Sequence, residues 1–410
     1  MNKVKNRLGF KFLKIGILTI PTLLPISVAL IITSGLISTF ENINNYLKDK
    51  WNYPLFISGI LIILNCFHYS LYPNLSLLAE NYRNFLNWIG IINWIPYFWL
   101  FWALQPYLSS QNNRKIFVKY LLIGSIPVII MGLLQFFFNI HGPFVFFKGL
   151  IVWFQYKLED DMGLSSIFAN ANNAAAWFSA ILPLSIVFLY KNKSNNFLKV
   201  PTFIFVMLIL LSMILTNTRS TWITLFIPIY FLLNGLRRYF YVIFFLAAIP
   251  FLINYLPFIP EYIQEFTNGM IPGRILRNIE IIDYSEPLSN LYRIQIWLTS
   301  IGLILQNPFF GWGAGSFPIL YMQKHDLFIY HTHNLPLELA FNYGILSSLL
   351  IFIPLFYLLF ITYKFIFKNE GNFLSYDKAW WTSTISIFAL QMLDVQYYSA
   401  RISLIFWLLI

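Results

Sequence analysis

Residues 200–236 decide the fold: they read VPTFIFVMLILLSMILTNTRSTWITLFIPIYFLLNGL. The stretch contains two apolar runs, 200–217 and 220–236, and its single charged residue is Arg219, in the short polar turn between them. A helix needs about 20 mostly apolar residues to cross the hydrocarbon core of a bilayer. Two such runs joined by so few polar residues predict two membrane-spanning helices with a turn at the membrane face.

The whole chain has the composition of a membrane protein. Of its 410 residues, 58% are apolar and 10% are charged, whereas charged residues make up about 25% of a soluble domain. The formal charge is +11, but the basic residues are spread over short loops without a basic stripe, so we expect no nucleic-acid partner. Cys66 is the only cysteine, which excludes a disulfide within one chain and a Cys-based zinc site.

Similar apolar runs recur along the chain and predict an all-α, polytopic bundle of about 12 spans that forms one unit, residues 1–410. The run 9–37 is too long for one straight span and contains Pro21 and Pro25, which can break a helix. We therefore expect it to form two short helices or one re-entrant pair. The other predicted spans are 54–72, 85–108, 117–138, 172–190, 200–217, 220–236, 239–256, 344–363, 379–394 and 402–410.

The distribution of charge predicts the orientation of the bundle. If both termini are cytoplasmic, the cytoplasmic segments hold 18 of the 27 Lys and Arg residues, and 12 of the 16 acidic residues lie outside. This bias follows the positive-inside rule. Two of the outside segments are long, 139–171 and 257–343. Within the second, residues 292–306 have helical apolar spacing, and we expect a helix that lies along the membrane surface.

Four arginines of the predicted outer face could bind an anion, since Arg is a natural bidentate partner for phosphate. Arg219 lies in the turn Thr218-Arg219-Ser220, where its alternative role is to snorkel or to cap a helix. Arg293 begins the predicted surface helix and could also be an ordinary interfacial anchor. Arg274 and Arg277 are either solvated loop charges or help to attract an anionic donor.

Two histidines lie in the segment His331-Thr332-His333-Asn334, just before a predicted span. A neutral histidine near pH 7 can accept a proton from a hydroxyl, which suits acyl or glycosyl transfer. The alternative is a polar cluster in which Asn334 caps the following helix. Glu338 follows His333 at i+5 rather than i+4, and no HExxH pattern occurs, so we predict no metal site.

A glycine-rich segment lies between Arg293 and His333. Residues 307–317 read NPFFGWGAGSF and place Gly311, Gly313 and Gly315 within five residues. Glycines permit unusual backbone angles and the close approach of a ligand. The segment lacks the GKS or GKT ending of a phosphate-binding loop.

Together these segments resemble the O-antigen ligase and O-antigen polymerase superfamily of bacterial membrane proteins. The resemblance rests on the order and spacing of Thr218-Arg219-Ser220, Arg293 with Ile296-Trp297, NPFFGWGAGSF, HTHN with Leu337-Glu338, and Tyr343-Gly344-Ile345-Leu346. It covers about residues 200–350, a region that includes the predicted periplasmic loop 257–343.

The resemblance implies twelve transmembrane helices in the bacterial inner membrane and a large periplasmic loop with short surface helices. It implies a metal-independent, inverting glycosyltransferase without a cofactor. Such an enzyme takes a glycan from an undecaprenyl diphosphate carrier and joins it to lipid A–core, as in lipopolysaccharide biosynthesis. By matching motifs, Arg219 and Arg293 look like ligands of the donor diphosphate and His333 like the catalytic histidine. Possible supporting residues are His331, Asn334, Gly313, Gly315, Arg274 and Arg277.

The sequence leaves several alternatives to a ligase open. A polymerase would join repeat units to a growing glycan, and a protein glycosyltransferase would use a protein acceptor. A transporter of the bicarbonate type is a further alternative, although we find no internal repeat of the kind that transporters show. A flippase-like or structural partner in envelope assembly would not require His333.

Overall fold

The structure is a computed structural model that describes residues 7–71, 85–159, 162–192, 196–232, 260, 292–368 and 374–410. The first half of the described chain contains α1 (Arg7–Thr19), α2 (Leu24–Asn42), α3 (Asn52–Leu71), α4 (Phe85–Ile92), α5 (Ile95–Ala103), α6 (Gln105–Leu108), α7 (Gln111–Phe138), β1 (Phe144–Phe146) and β2 (Ile151–Trp153). The second half contains α8 (Ala171–Lys191), α9 (Asn196–Leu215), α10 (Arg219–Leu232), α11 (Tyr292–Gln306), α12 (Phe317–His325), α13 (Leu335–Tyr343), α14 (Ile345–Phe367), α15 (Tyr376–Gln391) and α16 (Ala400–Leu409).

Six described helices are long and apolar enough to cross a membrane, and they confirm a multi-pass α-helical membrane protein. They are the helical segments Leu24–Lys48, Asn52–Leu71, Gln111–Phe138, Ala171–Lys191, Phe197–Leu215 and Ile345–Phe367. Two shorter apolar helical stretches lie in α10 and α16. Six is half the predicted number, and the predicted span 239–256 lies outside the described residues.

The first apolar run forms two helices, as its length and prolines predict. α1 and α2 are separated by residues 20–23, and Pro25 lies in the first turn of α2. The two helices pack closely because Ser27 Oγ donates to Gly16 O at 2.8 Å and Ser34 Oγ donates to Gly9 O at 2.9 Å.

The predicted span 85–108 is not one continuous helix. The structure divides this stretch into α4, α5 and α6. Pro96 and Pro106 each lie in the first turn of the helix that follows a break. Proline has no backbone N–H to continue the preceding helix, but it fits the first turn of a new one. The breaks therefore fall where the sequence already contains their cause.

The segment 139–171 contains a β-hairpin that the all-α prediction did not include. β1 and β2 pair antiparallel, with Val145 opposite Val152, and a short 3-10 turn over Phe147–Gly149 joins them. Trp153 Nε1 donates to Thr22 O at 2.9 Å, so the hairpin packs on the turn between α1 and α2. It is a small addition to an otherwise helical protein.

Three helices at the centre of the bundle position the site described below. α8 and α10 pack together, with Ser179 Oγ 2.7 Å from Thr224 Oγ1, and both pack against α15. α8 and α10 begin at the same end of the bundle because α9 runs back between them. α15 ends there as well, since Asn172, in the first turn of α8, bonds to Asp394, just after α15.

Gly344, the residue between α13 and α14, gives a test of backbone strain. Its φ of 89° and ψ of 159° lie in a region that is essentially restricted to glycine, and an added Cβ would overlap the carbonyl oxygen of Phe309. We expect Gly344→Ala to lower the free energy of unfolding by at least about 1–3 kcal/mol. Thermal unfolding in detergent measures the loss.

Gly302 provides the matched control for this substitution. It lies inside α11, and a Cβ added there meets no atom within 4 Å. Gly302→Ala should leave stability unchanged or raise it by up to about 1 kcal/mol, because alanine is the better helix former. Equal melting temperatures for the two variants would contradict the strain at Gly344.

Candidate active site

The HTHN segment forms a tight turn that leads into α13. Asn334 caps this helix: its Oδ1 accepts from Leu337 N at 3.1 Å, while its Nδ2 donates to Met392 O at 2.9 Å. The predicted capping role of Asn334 is confirmed, with Pro336 in the first turn. His333 has a φ of 53°, in the left-handed region that few residues other than glycine adopt. The strained turn and the cap together fix the backbone of both histidines.

His333 bonds directly to a carboxylate. His333 Nδ1 lies 2.8 Å from Oδ1 of Asp394, which is buried in the turn between α15 and α16. An ionised carboxylate only accepts hydrogen bonds, so Nδ1 of a neutral His333 carries the proton and Nε2 carries the lone pair. This is the tautomer that a general base requires, with a carboxylate that holds the ring in place.

Three other groups surround the carboxylate of Asp394. Asn172 Nδ2 donates to Oδ2 at 2.7 Å, and Val395 N donates to Oδ1 at 2.9 Å. His331 Nε2 lies 3.9 Å from Oδ1. The ring of His331 also lies 4.4 Å from that of His333, centroid to centroid, and its Nδ1 accepts from His333 N at 3.3 Å. Asp394 thus connects α8, the HTHN turn and the α15–α16 turn.

The pKa values of two groups in these turns indicate which charge states they hold. Burial raises the pKa of Asp394, but the hydrogen bond from His333 and the electrostatic interactions with His331, His333 and Arg293 outweigh it and lower the pKa. Burial lowers the pKa of His331, and its neighbours do not reverse this fall: Glu338 and Asp394 raise it, while His333 and Arg293 lower it further. At neutral pH, Asp394 is ionised and His331 is neutral.

His331, His333 and Asp394 form a histidine cluster, and the structure brings one of the four predicted arginines to it. Arg293 lies near the beginning of α11, which packs on α13, and its charge reaches both Asp394 and His331. The backbone of Arg219 begins α10, at the same end of the bundle as Asp394, but its side chain lies outside the described part of the protein. Arg274 and Arg277 also lie outside the described residues.

The glycine-rich segment lies elsewhere. Trp312 N donates to Phe341 O at 2.7 Å and Gly313 N donates to Asn342 O at 3.0 Å, so the segment packs on the end of α13 opposite to Asn334. Gly315 lies against Leu86 of α4. The positive φ values of these glycines permit this packing of backbone on backbone. The structure does not bring Gly313 and Gly315 to the histidine cluster.

A buried glutamate supports the HTHN turn from behind. Glu338 Oε2 accepts from Thr332 N at 2.9 Å, and its Oε1 accepts from Tyr398 Oη at 2.7 Å and from Asn342 Nδ2 at 3.2 Å. Glu338 is only 3% exposed, and a carboxylate is retained at such a site only where hydrogen bonds compensate it. Glu338 thus connects the HTHN turn to the α15–α16 turn and holds the backbone of Thr332, the residue between the histidines.

We expect Glu338→Ala to destabilise the protein, because it leaves the buried N–H of Thr332 without its acceptor and removes one acceptor from Asn342 Nδ2 and from Tyr398 Oη. Each unsatisfied buried donor costs about 1–3 kcal/mol. Glu338→Gln retains one acceptor oxygen and should lose less stability. Melting temperatures in detergent should therefore fall in the order wild type, Glu338→Gln, Glu338→Ala. If both variants melt like the wild type, the glutamate does not stabilise the turn.

One group in the described residues has ligand atoms that could hold a metal ion. His331, His333 and Asp394 each offer one atom, and these atoms lie within 4.8 Å of one another. To bind a metal through Nε2, His331 would have to place its proton on Nδ1, where the N–H of His333 already donates. To bind a metal through Nδ1, His333 would have to carry its proton on Nε2 and lose its hydrogen bond to Asp394. The hydrogen bonds in the structure thus involve Nδ1 of both histidines.

Sequence reasoning missed Asp394 and Asn172. The predicted span 379–394 included Asp394 at its edge, and the apolar run around it hid its significance. The available signal was the acid itself, because an ionisable residue in an apolar segment is by default a functional candidate. No signal connected Asn172 to it, since the two lie 222 residues apart in the chain.

These observations define a class: a multi-pass α-helical membrane protein with a histidine–carboxylate cluster at one end of its bundle. Residues 203–352 match the family model described as O-antigen ligase. The resemblance inferred from the motifs is thus confirmed over this part of the chain. The domain implies a glycosyltransferase-type enzyme that acts on lipid-linked glycan. A comparison with curated proteins found no match.

Proposed function

We propose that the protein transfers a glycan from an undecaprenyl diphosphate carrier to an acceptor hydroxyl at the periplasmic face of the inner membrane, as an O-antigen ligase does. The observation that carries the proposal is the hydrogen bond of 2.8 Å between His333 Nδ1 and Asp394, within reach of the charge of Arg293. A base and a cation near each other suit a reaction that removes a proton and releases an anion.

In this mechanism His333 is the general base and Asp394 positions it. Nε2 of His333 accepts the proton of the acceptor hydroxyl while the hydroxyl oxygen bonds to the anomeric carbon of the donor. The bond between that carbon and the diphosphate oxygen breaks, and undecaprenyl diphosphate leaves with the electron pair. A single displacement inverts the anomeric configuration. Arg293 and Arg219 neutralise the charge on the leaving diphosphate.

The distribution of basic residues supports the periplasmic location of the site and cytoplasmic termini. Arg114, Lys191, Lys364 and Lys378 all lie at the end of the bundle opposite to Asp394, near the ends of α7, α8, α14 and α15. Short loops rich in Lys and Arg remain in the cytoplasm. The histidine cluster then faces the periplasm, where a carrier-linked glycan is presented after it has crossed the membrane.

The proposal is tested by deletion of the gene and analysis of the surface polysaccharide. For a ligase we expect lipid A–core without long glycan, together with carrier-linked polymer that accumulates. Purified protein in nanodiscs should transfer glycan from undecaprenyl diphosphate to lipid A–core. An unchanged surface polysaccharide and no transfer in nanodiscs would contradict the proposal.

A polymerase uses the same chemistry, and the same experiment separates it from a ligase. In a polymerase deletion, single repeat units remain attached to lipid A. A protein glycosyltransferase would leave the lipopolysaccharide intact and remove glycan from proteins. A transporter of the bicarbonate type would move labelled bicarbonate into vesicles, and it would not require a base held by a carboxylate at one end of the bundle.

A further inference from the structure

The hairpin formed by β1 and β2 exposes apolar side chains that an aqueous loop would not be expected to expose. Phe147 is 75% exposed and Leu150 is 58% exposed, and Val145 and Phe146 are exposed beside them. Isolated exposed apolar residues are common, but a contiguous patch marks an interaction surface. Three consecutive residues at the tip, Phe147, Lys148 and Gly149, have positive φ and form its tight turn.

The hairpin is attached firmly to the bundle. Gln155 Nε2 donates to Ile140 O at 2.7 Å and to Met131 O at 3.1 Å, so the chain after β2 bonds to the last turns of α7 and to the residues just beyond them. Gly142 N donates to Gln155 O at 2.6 Å across the base of the hairpin. With the bond from Trp153 to Thr22, these contacts fix the height of the tip relative to α7.

That height corresponds to the membrane boundary. Lys119 is the last charged residue of α7, and 19 residues follow it to Phe138 at the end of the helix. At a rise of 1.5 Å per residue they span about 28 Å, which matches the ~30 Å hydrocarbon core. Phe137 and Phe138 are 59% and 72% exposed, as expected of side chains that face lipid. The exposed surface of α7 therefore continues directly into the hairpin.

We propose that the tip of this hairpin, residues 145–150, inserts into the leaflet on the His333 side of the membrane and binds at the boundary between headgroups and acyl chains. Phe147 and Leu150 enter the acyl region, and Lys148 contacts phosphate groups of the phospholipids. Aromatic side chains favour this depth, and a lysine can extend its ammonium group to the headgroups. The proposal is independent of the glycan-transfer reaction.

Fluorescence quenching in nanodiscs tests the insertion. Cys66, the only native cysteine, is buried and is replaced by Cys66→Ser, with Cys66→Ala as a second background. Phe147→Cys then carries an NBD fluorophore. The matched control is Glu159→Cys, at an exposed position of the same segment. The nanodiscs contain phosphatidylethanolamine and phosphatidylglycerol with nitroxide-labelled lipid, and iodide probes exposure to water.

We expect the label at position 147 to lose most of its fluorescence to a shallow lipid nitroxide and little to iodide. The label at position 159 should show the reverse. If iodide quenches the label at position 147 as fully as the label at position 159, the tip faces water, and its aromatic surface binds a glycan or a protein instead. If neither quencher reaches position 147 in the folded protein, the patch is covered by protein, such as a second copy of the chain. Either of these results overturns the proposal.

Discussion

His333→Ala should reduce the rate of glycan transfer by about 10²–10⁴, the usual contribution of a positioned general base. The variant retains Arg293, the carboxylate of Asp394 and every spanning helix, so the protein should still insert and still bind the donor. The rate constant for transfer falls, whereas the donor concentration for half-maximal rate changes little. The measurement is single-turnover transfer in nanodiscs with a saturating carrier-linked glycan.

His141→Ala is the matched control for this substitution. His141 is exposed, and its Nδ1 lies 2.8 Å from the carbonyl oxygen of Asn139, two residues before it. Transfer by His141→Ala should equal that of the wild type. Wild-type transfer by His333→Ala would eliminate the proposed base. A loss of folded protein would be recognised separately, by its melting temperature and its elution in size-exclusion chromatography.

Asp394→Asn should lower the same rate by about 10²–10⁴, because it deprives the base of the proton acceptor that sets its tautomer. Asn172 donates to one oxygen of the carboxylate, and Val395 N and His333 bond to the other. An asparagine offers a single oxygen. If its amide nitrogen faces His333, then Nδ1 must accept and Nε2 must carry the proton. If the amide nitrogen of the new asparagine faces Asn172 instead, this nitrogen and Asn172 Nδ2 are both donors, and neither has an acceptor there.

The rate constant separates a positioning role from a binding role. Asp394→Asn should lower the rate at saturating donor and leave the half-saturating donor concentration nearly unchanged. Asp377→Asn is the matched control: Asp377 accepts from Arg114 at 2.7 Å at the opposite end of the bundle, where a partly exposed ion pair is worth about 0–1 kcal/mol. If Asp394→Asn changes only the half-saturating donor concentration and leaves the rate at saturating donor unchanged, this residue binds substrate.

The parts of the fold that depend on local pattern could be predicted from the sequence. The apolar runs predicted the long spans, and Pro21 and Pro25 predicted two helices in 9–37, although the break falls at 20–23. The helix over residues 292–306 was found with the same limits, while its location along the membrane surface stays a prediction. Asn334 was recognised as a cap because the capping signal is confined to a few neighbouring residues.

The parts that depend on distant contacts could not be predicted. Hydropathy measures apolar length, so it joined α4, α5 and α6 into one span despite Pro96 and Pro106. It also placed Asp394 within a span rather than beside His333, 61 residues away. The sequence identified His333 and Arg293 through their motifs, but their common carboxylate became visible only when the turns at the end of the bundle were compared in space.

Arg401, at the beginning of α16, has a consequence for how the protein is made. Its Nε donates to Pro21 O at 2.8 Å, and its guanidinium lies 5.7 Å from the ring of Phe168, so one buried side chain connects the α1–α2 turn to a helix 380 residues later. During synthesis the ribosome delivers α1 and α2 long before α16. Until α16 arrives, the carbonyl of Pro21 has to find another donor, such as a lipid headgroup, water or a component of the insertion machinery. Final packing of the α1–α2 turn is therefore a late event in biogenesis, and a ribosome stalled before Arg401 should leave this turn accessible to added protease.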